Sequence, residues 1–319
     1  MKKSVFIFLV TSAIFAITGC SQSSSSGSGS GGDSSDGSPT IKTYTTANGL
    51  KSNSIKTVLV KNNTVYVGTD GGLSVTADGG STWKTYTTAD GLAGDSVSSV
   101  YVGWEYMLVG TDKGLSESAD DGKTWNTKTT RGVGSFIIDG DLTRLTSDGY
   151  LWSTSDYSTW SKYRARGGDL VTGVIKVGNT LYVSHFGCFV TSSADGGATW
   201  TTSNSGLGSP FVNALAASGS TVYAATLGGL SVSTDSGASW TTYTTANGLA
   251  NDNVGCVAAS DSDIYIGVSK SGMFASSDGG KSWKQYTTLD GLPSDSVNCV
   301  TVSGKKVYVG TDKGLAILQ

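Results

Sequence analysis

The sequence predicts an all-β chain folded as a single seven-bladed β-propeller, and three observations lead there. One short segment recurs along nearly the whole chain. Each recurrence divides into brief strands separated by Gly- and Asp-rich turns. The two ends of the repeat region carry complementary fractions of one unit.

The recurring segment is Thr76-Ala77-Asp78-Gly79-Gly80-Ser81-Thr82-Trp83, which returns as Ser118 to Trp125, Ser193 to Trp200, Ser233 to Trp240 and Ser276 to Trp283. A worn copy ends at Trp160, with Ser155 and Tyr157 in the places of the Asp and the second Gly. The six Trp stand 42, 35, 40, 40 and 43 residues apart, a spacing that fits one four-stranded blade. Two further segments keep the same beat. Gly68-Thr69-Asp70-Gly71-Gly72-Leu73 returns at Gly110 and Gly310, and Tyr86-Thr87-Thr88-Ala89-Asp90-Gly91-Leu92 returns at Tyr44, Tyr243 and Tyr286.

Within a unit the pattern is that of short strands. In the second, Val97 to Val102 and Met107 to Thr111 are the first two, Asp112-Lys113-Gly114 is a turn, and Leu115 to Ser118 and Thr124 to Thr127 follow. A composition of 45 Gly against 3 Pro suits many tight turns. The last unit, 284–319, has three strands and no Trp. The first begins with a surplus strand from Ile41, which aligns with the strand after Trp83 and puts Ile41 in the Trp place. The N-terminal strand is therefore expected to complete the C-terminal blade, making seven.

The eight-residue segment resembles the Asp-box (BNR) repeat, S/T-x-D-x-G-x-T/S-W, of sialidases and other propellers. The T-x-D-G-L and G-T-D-x-G-L segments resemble propeller repeats of two-component regulators. The resemblance covers 41–319 and implies that Asp78, Asp120, Asp195, Asp235 and Asp278 accept hydrogen bonds from their own turns rather than doing chemistry. It also implies that Trp83, Trp125, Trp200, Trp240 and Trp283 pack into the blades with their N–H groups satisfied locally.

The first forty residues differ in kind. Lys2 and Lys3 precede an uncharged apolar run from Val5 to Ile17, shorter than the about 20 residues that span a bilayer. Residues 1–19 read as a secretory signal, and Ile17-Thr18-Gly19-Cys20 resembles the lipobox of bacterial lipoproteins. That resemblance implies a lipidated Cys20 and, with Ser21 next, the outer membrane, facing periplasm or cell surface. The alternative is ordinary signal cleavage with Cys20 incidental. Residues 21–40 are almost all Ser and Gly, with Asp33, Asp36 and a terminal Pro39, a flexible tether with an r.m.s. reach of about 25 Å.

Little in the sequence points to catalysis. Four Arg and two Glu in the whole chain do not supply the Arg cluster and Tyr/Glu pair of a sialidase, and one His leaves little room for a triad or a zinc site. Asp139-Gly140-Asp141 reads as a hairpin turn rather than a glycosidase pair. Cys256 and Cys299 read as buried thiols, not a disulfide. A net charge of −3 gives no basic stripe for nucleic acid. No catalytic residue, metal or cofactor is expected, and a monomer is.

The repeat breaks down between residues 131 and 188. Lys128, Arg131, Lys162, Arg164 and Arg166 fall in connections on one face, and the next blade carries Ser184-His185-Phe186-Gly187-Cys188 where the Gly-Thr-Asp turn belongs. Arg131, Arg164, Arg166, His185, Phe186 and Tyr163 form the candidate surface, for an anionic or glycan ligand or an envelope protein. Simple drift of a decayed blade explains the same residues. The expected function is that of a binding or scaffold lipoprotein of the envelope. A sensory accessory protein for a two-component system is the alternative, and a glycan hydrolase the more distant one.

Overall fold

The computed structural model describes residues 39–163 and 170–319, together with a two-residue strand, Leu9–Val10, laid against Phe136–Asp139. The rest of the signal segment, Cys20, the tether to residue 38 and the pair Arg164 and Arg166 lie outside the described residues.

Seven antiparallel four-stranded sheets form the blades of a β-propeller. Blade 1 illustrates the rule: Ile55–Lys61 is innermost, followed outward by Thr64–Thr69, Gly72–Thr76 and Lys84–Tyr86. In blade 2 the outer strand is Asn126–Thr129, two residues later than the sequence suggested. Blade 7 takes Val297–Ser303, Lys306–Thr311 and Gly314–Leu318 from the C-terminus and Ile41–Tyr44 from the N-terminus. Lys42 pairs with Ile317 as Lys84 pairs with Val75, so Ile41 does stand in the Trp place.

Two layers hold the ring. Apolar side chains pack between blades, as Leu230 and Ala225 of blade 5 do against Val257 and Ile266 of blade 6. Gly in the second strand makes this approach possible. A Cβ on Gly68 would stand 2.5 Å from Thr57 Cγ2 and 2.8 Å from the Val97 carbonyl of the next blade. Nearer the axis, every innermost strand but that of blade 3 skips one residue in its register, at Lys56, Ser98, Thr172, Asn213, Gly255 and Asn298. The skipped side chains reach around the ring. Thr172 donates to the Val212 carbonyl at 2.8 Å, Asn213 to Val254 at 2.8 Å and Asn298 to Ile55 at 2.9 Å, and Ser98 bonds Val133 likewise. Asn298 to Ile55 joins the last blade to the first.

The Asp hairpins fold as their chemistry requires. Thr76 Oγ1 donates to Asp78 Oδ1 at 2.7 Å and accepts from Gly80 N–H at 2.9 Å, while Asp78 accepts from Thr82 N–H at 3.0 Å and Thr82 Oγ1 at 2.6 Å. These bonds, those of Thr82 foremost, hold the Asp78 carboxyl far below the usual range. The worn hairpin is a correction. Asp156, not Ser155, fills the Asp place, accepting from Thr159 N–H at 2.8 Å, and the turn is simply one residue shorter. A second correction concerns the indoles. Trp200 and Trp240 do find partners, Gly197 O at 3.1 Å and Ser203 Oγ at 2.8 Å. Trp83, Trp125 and Trp283 have buried N–H groups with none among the described residues. They meet a Tyr edge instead, as Trp83 does Tyr44 at 5.6 Å between ring centroids.

Candidate functional site

The two faces of the ring are built from different connections. Second-to-third and fourth-to-first turns share one face, here termed upper; first-to-second turns and the Asp hairpins share the lower. On the upper face the Thr-Thr-Ala-Asp-Gly-Leu segments form single 3-10 turns, as at Thr88–Asp90, where Thr87 and Asp90 cap each other and Gly91 closes at φ +106. The following Leu, at 50, 92, 249 and 292, is buried beneath.

Reading upper-face positions blade by blade exposes a discontinuity. The residue opening the second-to-third turn is Asp70, Asp112 and Asp148 in blades 1 to 3 and Asp312 in blade 7. In blades 4 and 5 it is Phe186 and Leu227. The residue just before the innermost strand proper is Ser54, Ser96, Asn253 and Ser296 elsewhere, but Leu170 and Phe211 in these two blades. All four apolar side chains are exposed, by 60% for Leu170, 41% for Phe186, 39% for Phe211 and 37% for Leu227.

They also touch. Leu170 pairs with Phe186 across the strands, Phe186 bridges to Phe211 with rings 5.0 Å apart, and Leu227 N–H donates to the Phe211 carbonyl at 3.1 Å. The arc continues in both directions. Toward blade 3, Leu170 lies against Gly149, whose neighbour Tyr150 carries the Lys162 ammonium 3.3 Å from its ring centroid. Arg131 lies 4.1 Å over Trp152 in the same cluster. Toward blade 6, Leu227 borders a cleft of about 560 Å³ lined by Asn213, Asn253, Gly255, Ser269, Lys270 and Asn298. Gly255 opens it, having no side chain where its neighbours Asn213 and Asn298 project one.

The predicted site residues therefore part company. Arg131 and Phe186 belong to this face and both are exposed, with the Arg131 guanidinium over the Trp152 indole. Arg164 and Arg166 lie outside the described residues. His185 does not belong to the surface: it is 1% exposed, and its Nε2 is 2.9 Å from Thr191 Oγ1. It occupies the buried place of Thr69, Thr111, Thr226 and Thr311, each of which holds its own turn, as Thr69 does through Gly72 O at 2.9 Å. Tyr163 is also withdrawn from the upper face. It sits half-buried at the blade 3–4 junction, near Gly197 of the lower-face hairpin. Leu170, Phe211 and Leu227 went unread, although Leu227 stands in a plain variant of the repeat, Thr226-Leu227-Gly228-Gly229-Leu230.

Comparison with known proteins agrees on the architecture. Residues 174–313 match the DUF6242 beta propeller domain. A comparison with curated sequences gives no match. Among solved structures, the extracellular domain assigned to a hybrid two component system of B. thetaiotaomicron superposes with a TM-score of 0.72 at 18% identity, over 88% of this chain and 41% of that one. The chain thus spans about two fifths of that domain's length. YCF48 from Cyanidioschyzon merolae gives 0.66 at 16% identity, covering 88% of this chain and 98% of its own, and a structure of YCF48 bound to D1 peptide also matches. An ancestral GH74 enzyme gives 0.65 at 16% identity over 82% of this chain and 44% of its own. Likeness at this level of identity is likeness of fold: the chain is a seven-bladed β-propeller, in company with binding domains and enzymes alike.

Proposed function

We propose that this chain is an exported, lipid-anchored envelope protein that binds an extended segment of a protein partner on its upper face and carries out no catalysis. The observation that carries the reading is the contiguous arc Leu170–Phe186–Phe211–Leu227, set where the other blades place Asp, Ser or Asn. Exposed aromatic side chains grouped together are what a binding surface uses as anchors. The adjoining cleft offers amide and hydroxyl groups to a peptide backbone. A propeller of similar fold, YCF48, has been seen bound to D1 peptide, which supports a peptide-binding role.

Orientation supports the same reading. Thr40 pairs with Gln319 at the lower face, so a tether from a lipidated Cys20 joins the ring there. The upper face is opposite that point of attachment and so leaves room for a partner. The lipobox-like segment and the Ser21 beside Cys20 support an outer-membrane anchor. Likeness to extracellular domains of two-component systems supports a second reading, in which the bound partner is a sensor. A hydrolase reading has weaker support, since Glu117 is engaged by Lys128 at 2.8 Å, His185 is buried and the hairpin carboxylates are bound by their own turns.

The test is affinity capture from envelope extract with three proteins: the unaltered chain, a variant restoring the repeat residues (Phe186→Asp, Phe211→Ser, Leu227→Asp), and a lower-face control, Lys281→Ala. A partner retained by the first and third and lost by the second is expected. Identical captures by all three contradict the upper-face assignment.

A further inference from the structure

The lower face carries a second feature unlike the rest of the ring. Six first-to-second-strand turns are two residues long, such as Asn62-Asn63, Gly140-Asp141 and Gly304-Lys305. Blade 2 has four, Gly103-Trp104-Glu105-Tyr106, closed by Gly103 N–H to the Tyr106 carbonyl at 2.8 Å. The insertion puts Trp104 at its tip, 90% exposed.

This loop is held in place. Lys61, at the end of the innermost strand of the preceding blade, donates to the carbonyls of Val102 and Gly103 at 2.5 and 2.9 Å and lies 5.5 Å from the Trp104 ring centroid. Beneath, Tyr101 and Tyr106 stack 5.7 Å apart, and a Cβ on Gly103 would stand 3.0 Å from the Tyr101 ring. A large indole is thus presented to solvent on a fixed support. Behind it opens a cleft of about 360 Å³ lined by Trp104, Glu105, Tyr106, Ser118 and Asp121, within the size range of small-ligand sites.

Asp121 supplies the second carboxylate of the cleft. Its place in the hairpin is taken by Gly79, Gly196 and Gly279 in blades 1, 4 and 6 and by Ser236 in blade 5, all left-handed. Asp121 holds φ +56 there, a conformation that Gly adopts at less cost. Neither Glu105 nor Asp121 forms an ion pair among the described residues.

We propose that this cleft binds a neutral saccharide, with Trp104 as the platform for the C–H face of a sugar ring and Glu105 and Asp121 as acceptors for its hydroxyls. The indole supplies a flat apolar plane, and the carboxylates supply acceptors along its edge. Two carboxylates oppose an anionic ligand, and the Lys61 ammonium beside the ring opposes a free cation. The site is on the face opposite the apolar arc and is independent of it.

Native electrophoresis of the full chain through gels containing neutral polysaccharides (α- and β-glucan, mannan, galactan, xylan) tests this. The unaltered protein should be retarded by at least one polymer, and Trp104→Ala should weaken that binding at least tenfold. Asp121→Gly should weaken it too while raising the melting temperature, because the strained φ is relieved; that opposite movement separates loss of a ligand contact from loss of fold. The Lys281→Ala variant, altered on the exposed rim, should be retarded normally. No retardation in any gel, or equal retardation of Trp104→Ala, overturns the proposal. So does a Trp104-dependent fluorescence response to choline or ethanolamine in place of the polysaccharides, which would make the cleft a cation site.

Discussion

Arg144 donates from Nη2 to the backbone carbonyl of Gly196 at 3.1 Å, tying blade 3 to blade 4. The corresponding carbonyl, one residue past the hairpin Asp, accepts a Tyr hydroxyl elsewhere: Tyr44 to Gly79 at 2.7 Å, Tyr86 to Asp121 at 3.0 Å and Tyr243 to Gly279 at 3.0 Å. Arg144 is 2% exposed and faces Asp139, Nε to Oδ2 at 3.5 Å, while Asp139 also binds Lys176 of blade 4. Arg144 is thus a buried tie between blades.

Removing that tie should be costly. Arg144→Ala leaves the Gly196 carbonyl without its donor and Asp139 with one cation instead of two. Breaking a buried ion pair typically costs about 3–5 kcal/mol. Chemical denaturation should register a loss of this order, whereas Lys281→Ala, on the exposed rim, should change stability by less than about 0.5 kcal/mol. A near-neutral Arg144→Ala would mean that Lys176 alone holds the junction.

The Asp hairpins set the acid limit of the fold. Hydrogen bonds from the Thr or Ser near the end of each turn hold Asp120, Asp156 and Asp235 at about 2, and Asp78, Asp195 and Asp278 are depressed as well. An unfolded Asp titrates near 3.9, so the unfolded chain takes up protons first as pH falls. Stability from these groups is complete above about pH 5 and drains away between about 4 and 2. Melting temperatures measured across that window should fall steeply, and less steeply in a variant with three of the Asp replaced by Asn. A flat profile down to pH 2.5 would show that the hairpins contribute nothing through their charge.

Closure makes a third test. Deleting residues 41–46 removes the outer strand of blade 7, leaves Gly314–Leu318 as an unpaired edge, and strips Tyr44 from Trp83 and Gly79. That truncation should melt well below the unaltered chain and aggregate on heating. Removing residues 21–38, which contain no apolar side chain, should leave melting unchanged. Equal curves for the two truncations would contradict closure by the N-terminal strand.

The thiols report on the same core. Cys256 and Cys299 are free, 1% and 0% exposed, and packed against Gly267 and Gly310 where blade 1 has Thr57 against Gly68. Burial pushes the Cys256 thiol up to about 12 and raises Cys299 as well. Neither should react with a thiol reagent at pH 8 until the ring is unfolded. Rapid labelling of both in the native protein would place them outside the core.

The blade count and the closing strand were legible because they rest on periodicity, which survives any single substitution. The hairpin chemistry was legible for the same reason, except where the turn lost a residue: counting back from Trp160 reaches Ser155, whereas counting forward from Thr154 reaches Asp156. The binding face was expected from charge. Of those residues Arg131 lies exposed over Trp152, His185 fills a Thr pocket, and Arg164 and Arg166 fall outside the described residues. The apolar arc depends on residues far apart in sequence, 170, 186, 211 and 227, that only the ring brings together. Its signal was nonetheless present, as one column of the repeat in which Asp gives way to Phe and Leu.

The most direct measurement of the upper-face assignment is photocrosslinking in the cell. A benzophenone amino acid placed at Phe211 or Leu227 should yield adducts of one defined partner mass, while the same probe at Ser262 on the lower face yields none of that mass. Two anchors of this kind lost to Ser or Asp should weaken binding by about tenfold to a hundredfold, as contacts worth roughly 1.4–2.8 kcal/mol do. Adducts of equal mass and yield from all three positions, or none from 211 and 227, would contradict it.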